Sequence, residues 1–170
     1  MSRPTAAQLR AHLGLAPLPH EGGFFAETYR RAMPEAWIAS GTPSTLATAI
    51  YYLLTPDTFS ALHRLAHDEI YHHYLGDPVE LVQLHPDGRI ARIVLGKNVI
   101  DGGHALQCVV PAGVWQGSRL LDDGRADSYA LLGTTMAPGF DFADFELGAR
   151  DALTAAYPNA AASIAALTRA

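Results

Sequence analysis

The stretch FSALHRLAHDEIYHHYLGDPVELVQLHPDGRIARIVLG, residues 59–96, decides the fold class. It falls into four short apolar or alternating runs, FSALHRL, EIYHHYL, PVELVQL and RIARIVLG, separated by turn formers at AHD, GDP and HPDG. Runs of this length, rich in β-branched and aromatic residues and broken by Gly, Pro and Asp, read as strands joined by tight turns. No long helix lies between them, which argues against βαβ units.

The pattern extends in both directions. FFAETYR and TLATAIYYLL precede the stretch, separated by a loop around SGTPS, and HALQCVVP, VWQGSRL and SYALLGTTM follow it. NVIDGG, PAG and LDDGRAD supply the intervening turns. Short strands at such regular spacing predict an all-β sandwich or barrel with its body over roughly 24–146. Thr5, Leu9 and Leu13 mark a capped helix over about 5–14. DALTAAYP and NAAASIAALTRA make a helical segment over about 149–169, broken at Pro158. The expectation is one domain over 1–170, with short helices at both termini.

Composition narrows the function. Of 170 residues, 49% are hydrophobic and the formal net charge is −5. Only Arg30 and Arg31 are adjacent cations, so no basic stripe suits nucleic acid. No apolar run spans a bilayer, and MSRPTAAQLRAHLG lacks the apolar region of a secretory signal. The expected compartment is the cytoplasm. The single cysteine, Cys108, forms no internal disulfide and reads as a small buried hydrophobe. Neither GxGxxG, GxxxxGK[ST] nor GxSxG occurs, and HEGG resembles an anion loop only superficially.

Residues 63–78 hold four histidines and three carboxylates. Strand alternation divides them: Glu69, Tyr71, His73 and Leu75 share one face, and Ile70, His72 and Tyr74 the other. A carboxylate, a phenol and an imidazole suit a polar ligand better than a dry core, so the Glu69 face is the candidate cavity face. His63 reaches it from the preceding strand, while His67 and Asp68 read as solvated turn residues. His73 lies four residues beyond Glu69, roughly 13 Å along a strand, too far to share an ion with it. Trp115 either stacks on a ring or seals the core, and Gln107 is a further lining candidate. Arg30, on the strand face opposite Glu27 and Tyr29, meets an anionic ligand or makes a surface or dimer contact, the latter favoured. The aromatics of GFDFADFEL read as packing over a barrel edge or against a partner subunit.

FSALHRLAHDEIYHHYLGDP and HALQCVVPAGVWQGS resemble the two motifs of the cupin superfamily. HEGGFFAETYR, DEIYHHYLGDPVEL, VPAGVWQG and GTTMAPGFDFADFEL resemble its cupin_5 family in order, over roughly 9–157. The resemblance implies a double-stranded β-helix (jelly-roll) barrel, commonly dimeric. Metal-binding cupins carry His-x-His, a following Glu and a final His after the Pro-x-Gly turn. Here His63 and Glu69 match, whereas Leu65 and Gln116 stand at the other two positions.

Three functions remain open. The first is a small-molecule-binding cupin holding a polar or sugar-like metabolite with His63, Glu69, Tyr71, His73, Gln107, Trp115 and Gln116. The second is a metal-free isomerase or epimerase using a hydrogen-bonded His63–Glu69 acid–base pair with Tyr71. The third is a metal-dependent enzyme holding a divalent transition metal through His63, Glu69 and Gln116. The first is the reading adopted, with no metal or cofactor, no nucleic-acid partner and a homodimeric assembly; whether the protein turns anything over is left open.

Overall fold

The computed structural model describes residues 3–37, 45–121 and 125–169. The expected loop at SGTPS (40–44) lies outside them, as do residues 122–124 of the LDDGRAD turn. The described chain runs α1 (Ala6–Leu13), β1 (Ala16–Pro17), β2 (Phe24–Ala32), β3 (Thr45–Leu54), β4 (Phe59–Arg64), β5 (Glu69–Gly76), β6 (Val79–Leu84), β7 (Ile90–Leu95), β8 (Gln107–Val110), β9 (Trp115–Leu120), β10 (Ala130–Met136), β11 (Glu146–Leu147), α2 (Arg150–Ala156) and α3 (Ala161–Ala166). The sheets are β1-β2-β3-β10-β5-β8 and β11-β4-β9-β6-β7, and the pairing along their ladders is antiparallel. This is the two-sheet β architecture that the strand pattern predicts, and the jelly roll that the resemblance implies.

Alternation places Glu69, Tyr71 and His73 on one face as read from sequence, but a register shift against β10 between Leu131 and Leu132 takes Leu75 off that face and leaves it exposed. The inner face of the first sheet carries Tyr52, Leu132, Tyr71 and Val110, and these pack against Val79, Leu81, Leu95 and Leu120 of the second sheet. That apolar plug fills one end of the barrel and leaves the other end for polar groups. The outer face of the second sheet, with Leu62, Val82 and Leu84, is covered by Leu153, Ile164 and Leu167 of the C-terminal helices. α1 covers part of the first sheet's outer face through Leu9, packed with Leu53 and Leu131. It starts with a Thr5–Gln8 capping box and ends at Gly14 in the left-handed conformation, which satisfies orphan backbone groups at both ends.

Gly76 explains the GDP turn. Its φ is +95°, and a Cβ there would lie 2.1 Å from the Tyr129 carbonyl oxygen. Only glycine fits. The next residue, Asp77, accepts hydrogen bonds from Arg3, Arg125 and the Tyr129 amide, tying the N-terminus to the β5–β6 corner.

Candidate functional site

The open end of the barrel holds a cavity of about 100 Å³, room for several waters or a ligand of roughly as many heavy atoms. Phe25, Ile50, Leu65, Met136, Phe140 and Phe145 form most of its wall, and Glu21, His63, Glu69 and Thr134 supply polar groups. Each polar group is placed by a distinct local device.

His63 comes from β4, which shifts register against β9 between Ser60 and His63. A bulge there turns both residues to the interior although they are three apart. His63 is 2% exposed. Its Nδ1 donates to the Ala61 carbonyl oxygen at 2.8 Å. Because a carbonyl only accepts, the neutral ring carries its proton on Nδ1 and presents the Nε2 lone pair. Phe145 stacks on the ring, with centroids 5.2 Å apart.

Glu69 opens β5 and is 7% exposed. Burial pushes its carboxyl above the ordinary value. His63 opposes the shift, the nearby Glu21 charge reinforces it, and Thr134 and Gln116 oppose it. The Gln116 amide donates to Glu69 Oε2 at 2.7 Å, and Gln116 lies opposite His63 in the β4–β9 register.

Glu21 is a site residue that the sequence reading missed. It sits in HEGG, where His20, Gly22 and Gly23 all have positive φ. Gly23 lies against Tyr52, whose ring would be 2.8 Å from any Cβ. Tyr52 donates to the Gly22 carbonyl, and Arg169 from the C-terminus donates to the His20 and Glu21 carbonyls. The turn so held points Glu21 into the cavity, where it accepts from Ser60 Oγ at 2.7 Å. The positive-φ demand of a double glycine was the available signal.

Several expected positions need correction. His63 and Glu69 share no hydrogen bond: the imidazole binds Ala61 and the carboxylate binds Gln116. Tyr71 is on the predicted face but lies within the apolar plug, 1% exposed, and burial drives its phenol pKa well above normal. His73 is on the same face at the other end, its Nε2 bonded to the Asp77 carbonyl. Gln107 is exposed and bonds His72. Trp115 packs outward with the C-terminal helix core under Arg64. None of these four lines the cavity.

Asp68 is not simply solvated, because it accepts from the Ala112 amide and caps the PAG turn. His67 lies 3.8 Å from Asp144. Arg30 shares the cavity face with Glu27, not the opposite face, because β2 shifts register between Glu27 and Tyr29. Glu27 pairs with Arg30 at 2.7 Å, and Arg30 also donates to Thr45 Oγ1 and the Phe140 carbonyl. It thereby anchors the 140–145 segment over the cavity.

A metal does not fit these residues. Among the described residues no three His, Cys, Asp or Glu side chains could hold an ion together. Gln116 turns its NH2 to Glu69 and leaves Oε1 buried without a partner. Leu65 lines the cavity with hydrocarbon where metal cupins have imidazole.

The family model described as Cupin superfamily (DUF985), Cupin_5, matches residues 7–148. A protein of Saccharomyces cerevisiae, Uncharacterized protein YML079W, is 33% identical over 133 residues, 73% of this chain and 66% of the yeast protein; the match thus spans just under two thirds of that relative. The crystal structure of protein SO0799 from Shewanella oneidensis superposes with a TM-score of 0.86 at 32% identity, covering 98% of this chain and 99% of that one. A hypothetical protein from Leishmania major gives 0.85 at 34%, covering 98% and 100%.

Proposed function

The chain belongs to the Cupin_5 family of the cupin superfamily (DUF985), and from that premise we propose that its barrel cavity binds a small molecule with a polar head and an apolar body. One observation carries this reading. Glu69, a carboxyl shifted upward by burial, faces with His63 and Glu21 into a cavity otherwise walled by apolar side chains. Keeping such groups inside a protein costs stability unless something uses them. Ligand carried through native purification and weighed by mass spectrometry tests the proposal. Met136→Trp, which fills the cavity, should abolish the carried mass. Equal recovery from both proteins would refute the cavity as the binding place.

A second reading, metal-free proton transfer in an isomerase, is supported by the His63 Nε2, which carries no hydrogen bond among the described residues, and by the buried Glu69 carboxyl that lines the same cavity. It predicts that recovered ligand, returned to the protein in D2O, gains deuterium, and that His63→Ala slows this by about 10²-fold. Absence of exchange in the wild type would leave binding without turnover.

The homodimer is part of the same proposal. Tyr29 (52% exposed), Tyr74 (43%) and Val109 (50%) lie on the outer face of the first sheet beyond α1, a surface suited to a second copy of itself. Light scattering in solution giving a single-chain mass would count against it.

A further inference from the structure

The hydrogen-bond inventory of the cavity is one-sided. Ser60 Oγ–H is spent on Glu21, the Gln116 amide on Glu69 and the Tyr52 hydroxyl on the Gly22 carbonyl. The groups left facing the cavity are acceptors: the carboxylates of Glu21 and Glu69 and the His63 Nε2 lone pair. His63 is buried, with 2% of its surface exposed, and among the described residues its ring makes one hydrogen bond, through Nδ1, which leaves Nε2 free. Two hydroxyls also line the cavity: Thr134 bonds Glu69, and Thr48, whose oxygen accepts from the Phe140 amide, keeps its O–H as one neutral donor against these acceptors.

Charge is one-sided too. Arg30 is the only Arg or Lys that lines the cavity among the described residues, and Glu27 holds it with three hydrogen bonds. Among the described residues no other Arg or Lys lines the cavity to meet a phosphate or carboxylate, and neither the Glu21 nor the Glu69 carboxylate makes an ion pair with Arg or Lys.

We infer that the cavity selects an organic ammonium ion, a primary amine on a compact apolar body. This rests on the small-molecule reading above. An –NH3+ group brings three donors and one positive charge, matching three acceptors and surplus negative charge. Phe140 and Phe145 also line the cavity, and aromatic rings are favourable neighbours for a cation. The acceptors do not converge tightly enough for a bare ion, whereas longer N–H···O and N–H···N bonds span a wider site. A sugar hydroxyl brings one donor and no charge, so it satisfies less of the same wall.

The test titrates the full chain, labelled at its methionine methyls, with benzylamine, benzyl alcohol and benzoate, and separately with Zn2+. Benzylamine should shift the Met136 signal saturably and bind at least about tenfold tighter than the alcohol or the acid. Glu21→Gln and Glu69→Gln should each remove most of that preference. Because the wild-type comparison is decisive alone, a variant that fails to fold leaves the test intact. Equal or tighter binding of the alcohol or the acid overturns the cation inference and leaves the cavity reading standing. Saturable Zn2+ binding at one per chain that displaces benzylamine also overturns it. If none of the three organic probes moves Met136, the cavity reading falls with it.

Discussion

Replacing Glu69 by Gln should make the protein more stable, and increasingly so as pH rises. The carboxyl is 7% exposed, and its pKa is raised from 4.5 chiefly by burial. A group whose folded pKa lies above its unfolded value binds more protons in the folded state between the two. Its contribution is therefore fully present below about pH 4.5 and is lost as pH rises through the folded pKa. Across that window wild type loses about 1.4 kcal/mol per pH unit relative to Glu69→Gln. For a chain of this size that is roughly 3–5 °C in Tm per unit. The amide keeps a neutral hydrogen bond to Gln116, so the constant offset between the proteins is only about 1 kcal/mol. Scanning calorimetry from pH 4 to 8 reads the difference directly. Glu21 and His63 face the same carboxyl from the HEGG turn and β4, and His63 opposes the shift. A His63→Gln background should therefore carry the rise to higher pH. A Tm difference that is flat or shrinks with increasing pH would refute the burial argument.

Three further outcomes are expected. Gly76→Ala should cost about 2 kcal/mol or more, since a left-handed φ and a backbone clash at 2.1 Å combine, and chemical denaturation should show it as a lower midpoint. Asp77→Asn should lower stability by about 1–2 kcal/mol, discounted because Arg3 and Arg125 are partly exposed. Burial raises the Asp77 carboxyl, but the Arg3 and Tyr129 hydrogen bonds and the two arginine charges outweigh it, so its pKa falls below 3.8. The wild-type advantage should thus hold above that value and vanish as pH falls through the folded pKa, as measured by the Tm difference. Leu65→His with Gln116→His should create metal binding, since both positions flank His63. Metal analysis after Zn2+ loading should find one ion per chain, lost again when Glu69→Gln is added; no uptake would show that Leu65 and Gln116 are not what excludes the ion.

What was legible in the sequence and what was not divides along one physical line. Alternation within EIYHHYL assigned Glu69, Tyr71 and His73 to the interior, and their strand partners Met136, Thr134 and Leu132 lie on that same face. Turn chemistry placed the corners, and Ala/Leu-rich segments around Pro158 gave the terminal helices. A period of two reports which face a residue occupies but says nothing of how deep along the barrel it sits. Tyr71 and His73 were therefore grouped with Glu69 although one lies in the plug and the other at the far end. Bulges defeat the pattern more directly, because one extra residue reverses every later side chain. That is how Arg30 came to Glu27's face, and how Ser60 and His63 both turned inward. Trp115 faces outward because helices from a distant part of the chain cover its sheet. Glu21 is the extreme case: its turn is held by Arg169, 148 positions away, a distance no local pattern can register. The same dependence couples the site to the C-terminal segment, so removing Arg169 should loosen the one acidic group in the cavity that does not itself lie on a strand.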